Sequence, residues 1–116
     1  MTVAEILQGV RLRTALPPNL AERQISGLDY DSRRVKAGFL FFAFPGAHAD
    51  GRQFAQAALE EGAVAVVSDL APPQPFQGTW IEVEHGRQAL ALAARNFYEK
   101  FLQGESALKS LRRDSK

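Results

Sequence analysis

Cysteine is absent from this chain of 116 residues, which excludes disulfide bonds, thiolate metal ligands and cysteine nucleophiles. Histidine is limited to His48 and His85, which show no ligand spacing with carboxylates, so we expect no metal site. No apolar run approaches the ~20 residues that cross a bilayer, and the N-terminus shows no signal-peptide pattern. These absences predict a cytoplasmic protein with no membrane partner.

Motifs for catalysis are also lacking. The sequence contains no Gly-Lys-Ser/Thr phosphate loop, which excludes an ordinary nucleotide hydrolase. Ser32 lies between Asp31 and Arg33 with no histidine nearby in sequence, and it is not in a nucleophile-elbow context. We therefore expect no catalytic residues, and we look for a binding function.

Charge is distributed unevenly along the chain. The formal net charge is +1, but residues 109–116 carry four basic residues and one acidic residue, which leaves the preceding body mildly acidic. Nucleic-acid binders usually spread basic residues over a folded face, so we expect no nucleic-acid partner. We interpret residues 103–116 as a basic, disordered tail and residues 1–102 as a single domain.

The hydrophobic pattern predicts a small α/β domain with a mostly parallel or mixed sheet of about four or five strands and flanking helices. The run from Phe39 to Phe44 is apolar without interruption, which is typical of a central strand buried on both faces. A helix follows it, and then the buried strand 63–67, so these two strands should be parallel. The other predicted elements are a helix capped by Thr2 and Glu5 and ended by Gly9, strands at 25–30 and 79–83, and a long helix that ends near Gly104.

The helix between the two central strands is predicted to begin at Asp50 as its cap and to end at Gly62. Its inner face should carry Phe54, Ala57, Ala58 and the methylenes of Glu61. The glycine-bearing loop 46–51 in front of it would present free backbone amides, which suit a phosphate or carboxylate, although Asp50 could fill that role itself.

Three polar side chains near this loop have both a binding interpretation and an ordinary structural one. Ser32 could bond the edge of a heterocycle or simply satisfy neighbouring amides in its turn. Arg33 could contact phosphate, but its spacing favours an ion pair with Asp29 or Asp31. His48 could donate to a ligand oxygen or lie exposed in its loop.

Together these segments resemble the N-terminal domain of the Mur ligases, specifically the MurE type that adds the third amino acid to the cell-wall precursor. The resemblance covers about residues 1–98. MurF-type ligases have a related N-terminal domain and are the alternative. The matching segments are Gly27 to Phe41, Pro45 to Phe54, Ala57-Ala58, Glu61 to Ala65, Val83 to Leu90 and Ala93 to Tyr98.

The resemblance implies a domain that holds the UDP end of UDP-N-acetylmuramoyl-L-alanyl-D-glutamate, the UDP-N-acetylmuramoyl-dipeptide of peptidoglycan synthesis. By position, Tyr30 and Ser32 would lie at the UDP site, and Ala47, His48 and Ala49 would line the loop around the same group. ATP and Mg²⁺ are implied for the full-length enzyme, and no cofactor is expected in this chain.

After Tyr98 the pattern departs from that of the family. The family continues into a strand and a Gly-Thr-Asn-Gly-Lys-Thr loop that binds ATP, whereas here a basic tail follows. The chain is accordingly either a piece of a longer ligase, with the remaining ligase domains as its partners, or a stand-alone domain. A stand-alone domain could also be a non-catalytic interaction module that retains the fold.

Overall fold

The computed structural model describes residues 1–45 and 51–114, with side chains described as far as Lys100 and at Leu102. The helices within this part of the chain are α1 (Val3–Ile6), α2 (Pro18–Ala21), α3 (Ala55–Glu60) and α4 (Gly86–Asp114). Two short 3₁₀ helices, Ser32–Arg34 and Gly51–Phe54, precede β2 and α3 respectively. None of the helices in the described ranges is both long and apolar enough to span a membrane.

The strands of the described residues form one parallel sheet, in which the spatial order is the chain order. They are β1 (Gly27–Asp29), β2 (Phe39–Phe42), β3 (Ala65–Ser68) and β4 (Trp80–Glu82). The register pairs Leu28 with Leu40, Leu40 with Ala65, and Val67 with Ile81. The α/β prediction and the parallel arrangement of the two central strands are both confirmed.

The sheet has a hydrophobic cluster on each face. Phe41 points toward the side covered by α3, whereas Leu40 and Phe42 point toward the side covered by α1, α2 and α4, and all three are at most 1% exposed. This alternation follows from the two-residue period of a strand. Burial of β2 on both faces was predicted from its uninterrupted apolar run, and it is confirmed.

The capping box predicted for the first helix is confirmed, although the helix ends at Ile6, before Gly9. The Thr2 hydroxyl accepts from the backbone N–H of Glu5, whose carboxylate accepts from the Thr2 backbone N–H in return. The helix is only one turn long, so docking stabilises it more than propensity does. Lys100 Nζ reaches the same Glu5 carboxylate at 2.8 Å and links α1 to α4.

The inner face predicted for α3 is partly wrong. Ala58 is buried as expected, but Ala57 and Glu61 are exposed and Phe54 is 44% exposed. The turn directly before α3, Gly51–Phe54, is a 3₁₀ helix with three residues per turn. Counting residues at 3.6 per turn therefore assigns the wrong side chains to the buried face. Ala55 lies on the buried side with Ala58 instead.

Two of the three predicted helix ends, Gly62 and Gly104, have different outcomes. Gly62 follows α3 with φ +107°, so the predicted stop is confirmed. Gly104 does not end α4, since the helix continues to Asp114; glycine lowers helix propensity without preventing helical backbone. Asp50, the predicted cap, lies outside the described residues. The division of the chain at residue 102 stays a prediction.

Candidate functional site

The parallel sheet brings the carboxyl ends of all four described strands to one edge. β1 leads there into Tyr30 and the Ser32–Arg34 turn, and β2 leads into Phe44. β3 leads into Asp69, and β4 leads into the first residue of α4, Gly86. Ligands of open α/β sheets usually bind outside this edge, so it is the first place to look for a site.

A cavity of about 430 Å³ opens at the β1 end of this edge. This volume lies within the ~300–1,000 Å³ that small-molecule sites usually occupy. Tyr30 and Phe54 both expose a large part of their rings, 59% and 44% respectively. The lining residues are Tyr30, Asp31, Ser32, Arg33 and Phe54. The cavity is therefore lined both by the turn after β1 and by the 3₁₀ turn Gly51–Phe54 that precedes α3.

Ser32 is positioned by the Asp31 side chain, which caps the 3₁₀ turn by accepting from the Arg33 backbone N–H. Ser32 is half-buried, and among the described residues its hydroxyl makes no hydrogen bond. A cavity-lining hydroxyl with no protein partner can donate to or accept from a ligand. The structure thus places two of the predicted site residues, Tyr30 and Ser32, on one cavity.

Arg33 forms a two-point ion pair with Asp31. Its Nε lies 3.0 Å from Oδ1 and its NH2 lies 2.8 Å from Oδ2 of that carboxylate. These hydrogen bonds are the main cause that lowers the pKa of Asp31 to about 2, and the same partner raises the pKa of Arg33. The ion pair preferred on sequence spacing is confirmed, and it neutralises the charge of Arg33 beside the cavity.

Asp29 organises the backbone just before Ser32, a role that the sequence analysis missed. Its Oδ1 accepts from the backbone N–H groups of Tyr30 at 2.8 Å and Asp31 at 2.9 Å. The Arg34 guanidinium lies 3.2 Å from the same oxygen and 5.6 Å from the centre of the Tyr30 ring. An Asp followed by turn residues is the sequence signal for such a turn.

Phe44 and Gly51, which flank the loop predicted to surround a diphosphate, are joined by a hydrogen bond. The backbone N–H of Gly51 donates to the Phe44 carbonyl oxygen at 2.7 Å. The Phe44 ring lies 6.4 Å from the Tyr30 ring, centre to centre, so the base of the loop adjoins the turn after β1. Ala47, His48 and Ala49, the three predicted site residues of this loop, lie outside the described residues.

A second group of contacts holds the β2 and β3 ends together. The buried Ser68 hydroxyl donates to the Ala43 carbonyl oxygen at 2.8 Å and accepts from the Leu70 backbone N–H at 3.1 Å. Asp69 Oδ2 accepts from the Gly86 N–H at 3.0 Å, which fixes the start of α4 at the same edge. Satisfied buried polar groups of this kind make the edge a rigid frame.

No trio of histidine, aspartate or glutamate in the described ranges is arranged to hold a metal ion. Another cavity of about 310 Å³ lies at the opposite side of the domain, between α1 and α4, where Glu5, Asn96 and Lys100 line it. Glu5 and Lys100 are already paired there. The cavity beside Ser32 is accordingly the better candidate for an organic ligand.

Sequence comparison identifies relatives for most of this chain. A family model described as "Mur ligase family, catalytic domain" matches residues 24–98. A UDP-N-acetylmuramoyl-L-alanyl-D-glutamate–2,6-diaminopimelate ligase from Solibacter usitatus is 57% identical over 98 residues, covering 84% of this chain and 20% of that protein. The chain thus spans about a fifth of the length of the curated relatives it matches.

Solved structures give the same fold. A crystal structure of MurF from Acinetobacter baumannii superposes with a TM-score of 0.62 at 21% identity, covering 88% of this chain and 22% of that one. At this identity the likeness shows the fold alone. The MurF ligase from Thermotoga maritima, solved in complex with ADP, has a TM-score of 0.51 at 27% identity and covers 63% of this chain and 16% of that one.

Proposed function

Because this chain belongs to the Mur ligase family, we propose that it anchors the UDP moiety of UDP-N-acetylmuramoyl-L-alanyl-D-glutamate for a MurE-type ligase. The sequence relatives support the MurE type, since they carry the name of a ligase that joins 2,6-diaminopimelate to this compound. MurF-type structures share the fold at 21–27% identity and support the alternative less.

One observation carries the proposal: Ser32 and the opening turn of the following helix line a single cavity. The hydroxyl of Ser32 supplies a polar group for a heterocycle edge, and the exposed rings of Tyr30 and Phe54 supply apolar walls for a planar base. We propose that Ala47, His48 and Ala49, which lie between Phe44 and Gly51 in the sequence, contribute to the same site.

In a complete ligase of this kind, we propose that the terminal carboxylate of the peptide would accept the terminal phosphoryl group of ATP, with release of ADP, and that an incoming amine would displace inorganic phosphate from the acyl phosphate to form the amide. This sequence contains no Gly-Lys-Ser/Thr loop, so those steps would belong to other ligase domains. The residues described here would hold the far end of the substrate, which lowers the entropic cost of reaching the transition state.

The proposed substrate is a water-soluble nucleotide sugar, and no part of its recognition requires a membrane or nucleic acid. We accordingly propose a cytoplasmic location, a small-molecule partner and, where further ligase domains are present, contacts with those domains.

Calorimetric titration of the chain with UDP and with UDP-N-acetylmuramoyl-dipeptide tests the proposal. We expect saturable binding of both ligands, and Ser32→Ala should weaken it by about threefold to tenfold, the usual worth of one hydrogen bond. Ser26→Ala is the matched control, since Ser26 lies at the opposite end of β1, where its hydroxyl bonds the Ala37 carbonyl. A folded chain that shows no heat at millimolar ligand would contradict the proposal.

A further inference from the structure

A row of aromatic rings and guanidinium groups crosses the carboxyl edge of the sheet. Its centre is Phe44, whose ring lies 6.4 Å from the Tyr30 ring on one side. On the other side, the Cζ atom of Arg87 lies 5.0 Å from the centre of the Phe44 ring. Arg87 belongs to the first turn of α4.

The position of Arg87 is fixed by its neighbour Gly86. The Gly86 N–H donates to Asp69, and a Cβ added to this glycine would lie 3.1 Å from Asp69 Oδ2 and 3.3 Å from the Phe44 ring. A side chain at this position would be crowded on both sides. The first turn of α4 therefore presses closely against the end of β2, and the next residue, Arg87, is held above the Phe44 ring.

Charge pairing distinguishes Arg87 from three other arginines at this edge, Arg13, Arg33 and Arg34. Arg33 and Arg34 are paired with Asp31 and Asp29, and Arg13 lies 3.4 Å from a Glu82 carboxylate oxygen. Arg87, in contrast, is exposed and has no carboxylate partner among the side chains described, those of residues 1–45 and 51–100. A guanidinium above an aromatic ring keeps N–H groups that can bind an anion.

We propose that Arg87 binds the diphosphate of the UDP ligand. This inference rests on the proposed function, because it assumes that the uridine end occupies the cavity beside Ser32. From that cavity, the nucleotide would extend past Tyr30 toward Phe44 and the base of the loop that Gly51 closes. Arg87 supplies the positive charge for its phosphates, which Arg33 cannot supply while Asp31 neutralises it. Arginine suits this task because its planar fork matches phosphate geometry.

Titration of three ligands against the full chain tests the assignment: UDP, UMP and uridine, each followed by NMR chemical shifts up to tens of millimolar ligand. Arg87→Gln should weaken UDP binding by about tenfold, the usual minimum for a charged hydrogen-bond partner, and should leave uridine binding unchanged. Arg87→Lys should restore part of the lost UDP affinity, because the charge returns without the fork. The UDP affinity of Arg87→Gln should also depend less on salt than that of the wild type.

Arg95→Gln is the matched control. It removes an arginine from the same helix, about two turns further along, where the side chain pairs with Glu99. We expect it to leave the affinity for all three ligands unchanged. Equal weakening of UDP and uridine by Arg87→Gln would overturn the assignment, and so would unchanged UDP affinity, although the proposed function would survive the latter. Failure of the wild type to bind any of the three ligands would overturn both.

Discussion

The backbone N–H of Gly51 donates a hydrogen bond of 2.7 Å to the carbonyl oxygen of Phe44. Phe44 and Gly51 are therefore held together at the sheet edge, beside the turn that carries Ser32. A Cβ added to Gly51 would lie 2.6 Å from that carbonyl oxygen and 2.7 Å from the Phe44 backbone nitrogen. The close approach explains why this position requires glycine.

Gly51→Ala should accordingly weaken UDP binding and destabilise the fold, because the added methyl overlaps backbone atoms that cannot move aside cheaply. We expect a loss of UDP affinity of at least tenfold by calorimetry, together with a lower melting temperature. Gly9→Ala is the control for stability alone. Gly9 has φ +87° but nothing within 4 Å of an added Cβ, so the strain should cost about 1–2 kcal/mol and leave UDP affinity intact. Equal UDP affinity in Gly51→Ala and the wild type would show that the loop base has no part in binding.

Asp29 offers a second test, because its two roles can be separated. Asp29→Ala removes the acceptor for the Tyr30 and Asp31 backbone N–H groups, and about 1–3 kcal/mol of stability should be lost with it. Asp29→Asn keeps an oxygen in place and removes only the charge that pairs with Arg34. We expect Asn to retain most of the UDP affinity and Ala to lose most of it. Urea unfolding and calorimetry would measure the two effects, and identical behaviour of the two variants would refute the turn-shaping role.

The acid stability of the domain should depend on Glu5. The Lys100 side chain is the main cause that lowers the pKa of Glu5 to about 2, with the Thr2 backbone N–H as the next cause. A carboxylate with a lowered pKa stabilises the fold fully above its ordinary value near 4.5, and this contribution is lost as the pH falls toward about 2.

Glu5→Gln should therefore flatten the decline of the melting temperature between about pH 4.5 and pH 2. Glu99→Gln is the comparison variant, since it removes an exposed pair with Arg95 within one helix, and such pairs contribute little. An equally steep decline in Glu5→Gln and the wild type, measured by circular dichroism, would refute the role of the Glu5–Lys100 link.

The sequence predicted the parts of this molecule that local rules determine. Thr2 and Glu5 form their capping box because both partners lie within one turn, and the strand that includes Phe41 is buried because no polar residue interrupts it. Arg33 was assigned to an ion pair on spacing alone, and it forms one with Asp31.

Other features could not be predicted from short stretches of the sequence. Phe54 was placed in the core because a regular α-helix was assumed, whereas a 3₁₀ turn carries its ring toward the cavity. Arg87 lies 43 positions after Phe44 in the sequence, and only the parallel sheet brings β2 and the start of α4 to the same edge. The cavity itself combines segments on either side of β2, so its shape follows from the tertiary fold.

Amide ¹H–¹⁵N spectra of the chain during a titration with UDP would map the binding site residue by residue and test the cavity beside Ser32 directly. We expect the largest shifts at Tyr30 to Arg33, at Gly51 to Phe54 and in the first turn of α4, and we expect them to saturate together. Shifts confined to the opposite cavity, around Asn96 and Lys100, or no shifts at all in a folded sample, would contradict this expectation.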